Sequence, residues 1–318
     1  MMYGNTVSRV TRAYMMDLLD DDPAINPDFH DWNIAFVAYC DGSSFMGHVE
    51  EVDPATNVTY RGSKIFDAVI DDLLARGMKN ANNSILSGGS AGGLATMLNC
   101  DRFRSRLPNA NRVKCISDAG FFIYGENLVG SEQRKQFYAN VTKLHGMKKF
   151  LPKKCTSAMK PYMCLFPENL VNYIETPLLI VDSSFDAWQI EHNYLPFFGN
   201  VSDWQHCLLN ASDCTPNELL KLQEFQRAYL DSLRKVKYSP SRGILVHNCF
   251  IHGTTPYAYM WNCPFLGGNT TVSSVVGDWY FDRKPINMIV QDNMPRNCNL
   301  ISDYYQVLQQ CLNKPPML

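Results

Sequence analysis

The stretch Ile85–Ala95, "ILSGGSAGGLA", decides how the rest of the chain is read. An apolar run stops at Ser90, which has Gly88 and Gly89 before it and Ala91, Gly92 and Gly93 after it. The pattern that follows, "AGGLATMLNCDRFRSRL", is helical until Pro108 interrupts it. The least bulky residues are thus gathered at a strand-to-helix corner with one hydroxyl in the middle. Upstream, "RGSKIFDAVIDDLLARG" places Ile65, Phe66, Val69, Ile70, Leu73 and Leu74 at helical spacing and stops at Gly77. Downstream, "RVKCISDAG", "TPLLIVDSS" and "RGILVHNCF" read as strands, and "WNIAFVAYC" (Trp32–Cys40) reads as a buried strand ahead of the first helix. Continuous apolar strands alternating with helices predict an α/β fold, a mostly parallel sheet with helices on both faces. Residues 125–175 carry no clear strand signal and are expected to form a helical insertion over one end of the sheet. With no internal repeat and no obvious linker, residues 1–318 are expected to form a single domain.

In this context G-x-S-x-G, Gly88 to Gly92, reads as the nucleophile elbow of an α/β-hydrolase. A sharp turn exposes the serine hydroxyl. Side chains two positions to either side would collide with strand or helix, so Gly88 and Gly92 are expected to be required, and the Ala91 N–H can face a developing oxyanion. A phosphate-binding loop is excluded, because no Lys-Ser/Thr follows the glycines. A serine needs a base, and the base needs an orienting acid; in this fold they follow in the order Ser, acid, His, beyond later strands. "LLIVDSSFDAWQI" offers Asp182 at its strand end and Asp186 in the loop beyond. "ILVHNCFIHGTTPY" offers His247 within its strand, where a buried, hydrogen-bonded ring is the plainer reading, and His252 past the strand end. The strand-end rule favours Ser90, Asp186 and His252. Asp118, at the end of an earlier strand, reads as a pocket or structural residue. Trp188 is a candidate contact for a sugar ring, with packing on the following helix as the alternative.

The 318 residues are 46% hydrophobic with a net charge of −2, and the charge balance points to no nucleic-acid groove. No apolar run is long enough to span a bilayer. Eleven cysteines suit an oxidising compartment, and the near pairs Cys155/Cys164, Cys207/Cys214, Cys249/Cys263 and Cys298/Cys311 suggest disulfides. No C-x-x-C or Cys/His cluster suggests zinc. Asn57, Asn82, Asn140, Asn200, Asn210 and Asn269 each open an N-x-S/T sequon. The N-terminal stretch reads as an amphipathic helix ending near Asp20, without the apolar core of a signal peptide.

"SGGSAGGLA", "SSFDAWQI", "NCFIHG" and "VGDWYFDR" together resemble the plant pectin acetylesterases, relatives of the animal carboxylesterase Notum, and "WNIAFVAYCDGSSFMG" and "WQHCLLNASDC" fit the same family. The resemblance implies a secreted esterase that removes acetyl groups from pectin in the plant cell wall. It needs no cofactor and no metal, and its partner is the polysaccharide itself. It carries the triad onto Ser90, Asp186 and His252. Two departures stand out. Plant members commonly have Cys where this chain has Gly89. They also begin with a signal peptide and early strands that end in a Gly-Gly-Gly-Trp-Cys loop, a second source of oxyanion donors. The chain is expected to start inside the family's first helical region, with those strands missing and Cys40 a candidate for a cysteine without a partner. Rival expectations are an inactive relative acting as a binding protein and an esterase for longer acyl groups.

Overall fold

The computed structural model describes residues 17–255, 258–264, 266, 269–296 and 298. Its strands are β1 (Asn83–Gly89), β2 (Arg112–Asp118), β3 (Leu178–Ser183), β4 (Arg242–His247) and β5 (Asn287–Ile289). Its helices are α1 (Gly62–Ala75), α2 (Ala91–Ser105), α3 (Ser131–Leu144), α4 (Lys153–Ala158), α5 (Pro167–Leu170), α6 (Ala187–Asn193), α7 (Gln205–Leu209), α8 (Pro216–Arg234), α9 (Ala258–Asn262) and α10 (Val272–Tyr280). Contacts gather the chain into two compact units. One holds Val37–Leu178 with Arg227–Ser241. The other holds the described residues of Val10–Phe36, Leu179–Gln226 and Arg242–Leu318.

In the first unit β1 and β2 run parallel, with Leu86 opposite Cys115 and Gly88 opposite Ser117. Parallel neighbours need a crossover, and α2 supplies it. Phe66 and Ile70 of α1, Ala95 and Phe103 of α2, and Val113 of β2 close one apolar cluster. The disulfide Cys100–Cys115 ties α2 to β2. Asp67 and Asp71 of α1 meet Arg102 of α2 and Arg106 just past its end at the surface, where such pairs contribute little beside the apolar contact. Residues 125–175 are helical, as expected, and hold no strand among the described residues. Arg134 organises their start: its buried guanidinium donates to the carbonyls of Tyr124, Gly125, Leu128 and Val129. Burial pushes its pKa down to about 10, so it stays charged, and the four carbonyls replace its lost hydration.

In the second unit β3, β4 and β5 are successive neighbours, and β4 runs parallel to β5. Every residue of β3 is buried, which explains its unbroken apolar run. The N-terminal turn region docks on α10 through aromatics, with Phe29 and Trp32 edge-on to Tyr280. The fold class is the expected one. No helix of the described residues is long and apolar enough to cross a membrane.

Three expectations change. Trp32–Cys40 forms no strand; it runs as irregular chain, with Phe36 61% and Val37 40% exposed. Apolar character alone does not make a strand, since its amides need a neighbouring strand, and no strand among the described residues pairs with this run. The cysteine pattern differs too. Cys155–Cys164 and Cys207–Cys214 are bonded as read, but Cys249 pairs with Cys298 rather than Cys263. The chain after β5 explains this: Phe250 N–H donates to Arg296 O and Arg296 N–H to Asn248 O, which brings Cys298 beside Cys249. Cys263 is also disulfide-bonded, and Cys40 is a free thiol. The N-terminal amphipathic helix and Cys311 lie outside the described residues, of which Asp17–Leu19 form a single 3-10 turn.

Candidate active site

β1 ends at Gly89 and α2 begins at Ala91, leaving Ser90 alone between them at φ 58°, ψ −124°. That backbone region costs a side-chain-bearing residue on the order of 1–3 kcal/mol, and such strain persists only where neighbours enforce it. They do so here. Ser90 N–H donates to Asp118 O at the end of β2 (2.9 Å), and Ser90 O accepts Leu94 N–H (3.1 Å) as the first bond of α2. A Cβ on Gly88 would sit 2.3 Å from Gly92 O, so only glycine fits there. Gly92 corrects the sequence reading: a Cβ there meets nothing within 4 Å. The second obligatory glycine is Gly93, whose Cβ would lie 2.5 Å from Asp118 O and 2.9 Å from the Cα of Gly120. On the first turn of α2, residue 92 faces open space and residue 93 faces the end of β2. Gly89 also faces open space, so the cysteine common in plant relatives would fit. Ala91 opens the helix, where the leading N–H groups have no intrahelical acceptor and the dipole favours negative charge.

One residue at this corner was not foreseen. Ser44, buried and at φ 54°, donates its hydroxyl to Ala91 O (3.0 Å). Its N–H donates to the Tyr39 hydroxyl (2.9 Å), and Asp41 accepts the next amide, that of Phe45, at 3.1 Å. Ser44 and Phe45 are consecutive left-handed residues, and strain of this kind clusters at functional sites. Ser44 thus pins the first turn of α2, including the peptide next to the Ala91 N–H. Ser44→Ala is expected to lower kcat about tenfold with KM unchanged, a split that general loosening of the fold would not give.

The second unit holds the other two candidates. Asp186 caps α6, accepting Gln189 N–H at 2.8 Å, and its second oxygen lies 2.7 Å from His252 Nδ1. Asp186 is fully buried, whereas the His252 side chain is 21% exposed. A bond from Ala187 N–H to Ile251 O (3.1 Å) laces the two loops together. With Nδ1–H donated to a carboxylate, the neutral ring presents Nε2 as its acceptor. The alternatives fall elsewhere. Asp182 is buried at the end of β3 and accepts Ser183 N–H. His247 is buried at the end of β4, its Nε2 paired with Thr254 Oγ1 (2.9 Å) and its Nδ1 accepting Cys249 N–H.

Burial pushes the His247 pKa down to about 3, with the Arg296 charge adding to the effect. Between the ordinary value near 6.5 and about 3, the unfolded chain takes up a proton that the folded chain refuses. Stability is therefore full above that window and falls as pH drops through it, by about 3–5 kcal/mol at most. Tm is expected to decline from pH 7 to pH 4, and His247→Asn to show a shallower decline in the same scan.

Beside His252 opens a cavity of about 360 Å³, lined also by Trp188, His192, Leu208, Leu209 and Phe250. Trp188 is 38% exposed. It stacks on His192 of its own helix at 5.0 Å and lies 5.9 Å from the His252 ring. Trp188 thus packs on its own helix α6 and lines the cavity. Among the described residues no cluster of His, Cys, Asp and Glu is arranged to hold a metal.

Residues 3–300 match the pectinacetylesterase family. The chain is 41% identical to pectin acetylesterase 11 of Arabidopsis thaliana over 286 residues, 89% of this chain and 72% of that protein. It is also 41% identical to pectin acetylesterase 7 of the same plant, over 86% of this chain and 70% of that protein. The chain belongs to the pectinacetylesterase family. Membership makes it a carboxylic ester hydrolase of the serine esterase type. The solved Wnt deacylase Notum from Drosophila has the same fold, with a TM-score of 0.73 at 23% identity over 91% of this chain and 80% of that one. Gly88, Ser90 and Gly93 form the tight strand-to-helix corner, and Asp186 lies 2.7 Å from His252 Nδ1.

Proposed function

We propose that this esterase removes acetyl groups from pectin, a homogalacturonan, in the plant cell wall, with Ser90 as nucleophile, His252 as general base and Asp186 as its orienting acid. His252 Nε2 takes the Ser90 proton as Oγ attacks the acetyl carbonyl. Asp186 holds the tautomer and stabilises the imidazolium that forms. The Ala91 N–H faces the tetrahedral oxyanion. His252 then returns the proton to the departing sugar oxygen, and water repeats the sequence on the acetyl-enzyme to release acetate.

The observation that carries this reading is the buried Asp186 against His252 Nδ1 at 2.7 Å, in a family whose Arabidopsis members are named for pectin acetyl esters. The strained serine supports it, as does a cavity sized for a small group beside the base. Secretion is supported by four disulfides among the described residues and by sequon asparagines that are exposed at 57, 82, 140, 200 and 269. The test is acetate release from acetylated pectin by the purified chain, beside an octanoyl ester. Release of acetate supports the reading. Turnover of the octanoyl ester alone, or of neither, overturns it.

A further inference from the structure

The near-neutral charge of the chain conceals a strong local excess. Lys143, Lys148, Lys149, Lys153, Lys154 and Lys160 fall within 18 residues that contain no Asp or Glu. All six are exposed. They extend from the last turn of α3, across the 3-10 turn Met147–Lys149 and α4, to the residue before the 3-10 turn Pro161–Leu165. Among the described residues only Lys154 of the six has an ion-pair partner, Glu175 at 3.1 Å, and both side chains are largely solvated. A solvated helical face normally interleaves both signs. This one does not.

The segment beneath the charges is fixed. Met147, Leu151, Cys155, Cys164 and Leu165 are buried, and the Cys155–Cys164 disulfide closes the loop through α4. The lysines therefore project from an ordered base, so gathering them costs no folding of the segment when a ligand arrives. Lysine is a mobile point charge without the planar fork of arginine, which suits repeated, loosely registered carboxylates better than a single shaped anion.

We propose that this lysine face is a docking surface for a polyuronate, the run of free galacturonate carboxylates in the pectin backbone. The inference rests on the pectin reading above. It assigns these residues the task of holding the polymer and no part in the chemistry. Each lysine contributes weakly on its own, but several acting on one polyanion raise its local concentration, and salt screens the effect.

The test uses the whole disulfide-bonded chain and a variant carrying Lys148→Gln, Lys149→Gln, Lys153→Gln and Lys154→Gln. Immobilised polygalacturonate is expected to retain the parent chain at low salt and to release the variant at markedly lower salt, with equal Tm for the two. A Lys→Arg version at the same positions is expected to restore retention. On acetylated pectin of low methyl-ester content, the Gln variant is expected to raise KM on the order of tenfold at low salt. Its kcat, and its rate on a small neutral acetate ester, should match the parent. Equal retention of parent and Gln variant, or no retention of the parent, overturns the docking surface. Retention needs no turnover, so an inactive parent that is still retained refutes the esterase reading and leaves the docking surface standing.

Discussion

Ser90→Ala is expected to lower ester hydrolysis by about 10⁴–10⁶-fold while shifting Tm by less than about 1 °C. The two halves of that expectation have different physical origins. The loss of rate follows from removing the atom that forms the acyl bond; what survives is binding and oxyanion stabilisation. The unchanged stability follows from φ 58° at residue 90. Alanine keeps the Cβ, so the backbone strain of the elbow is the same in both proteins. Ser90→Gly separates the terms. It is equally inactive but relieves the strain, and its Tm is expected to rise by roughly 2 °C after the extra flexibility of glycine in the unfolded chain is set against the gain. An inactive variant more stable than its parent would mark the corner as held under tension for the sake of the hydroxyl. Full activity in Ser90→Ala would remove Ser90 from the mechanism.

Asp186→Asn is expected to cost about 10⁴-fold in kcat with KM nearly unchanged. The carboxylate has two tasks on its two oxygens: one accepts Gln189 N–H, the other faces His252 Nδ1. Asparagine retains the first through its carbonyl and reverses the second. Its NH₂ would meet Nδ1 as a donor, forcing the imidazole into the tautomer with Nε2 protonated, a ring that cannot accept a proton from serine. Asp186→Ala removes the helix cap as well, so it is expected to lose about 1 kcal/mol of stability in addition to the rate. Steady-state kinetics and thermal unfolding of both variants separate tautomer control from capping.

The elements around the serine were legible because each is a local pattern with one solution. The apolar run before Gly88, the periodicity after Gly92 and the stop at Pro108 correspond to β1 and α2. Asp186 over Asp182, and His252 over His247, followed from their places relative to strand ends; in the structure His247 is bonded to Thr254, while His252 faces Asp186. What was not legible depends on partners distant in sequence. A strand at Trp32–Cys40 would need a neighbour, which no composition supplies. Gly93 rather than Gly92 is obligatory because of the phase at which α2 meets Gly120, a matter of a third of a helical turn. Cys249 reaches Cys298 because the chain after β5 returns along it. Ser44 acts on Ala91 across 47 residues, and a serine in a loop carries no mark of that.

The Cys100–Cys115 bond has a bearing on how the protein withstands proteolysis. The turn from α2 to β2, residues 106–111, lies inside the ring this disulfide closes. A protease that cuts there breaks the chain without dividing the molecule: the helix carrying the elbow stays covalently fastened to its neighbouring strand. The same holds for a cut between Cys155 and Cys164, within the lysine face. The second site carries an exposed basic residue, Lys160, whereas the basic residue of the first, Arg106, is half-buried. Wear at these sites would leave a nicked enzyme in one piece, and its lifetime would be set by reduction of the cross-links and not by the first cleavage.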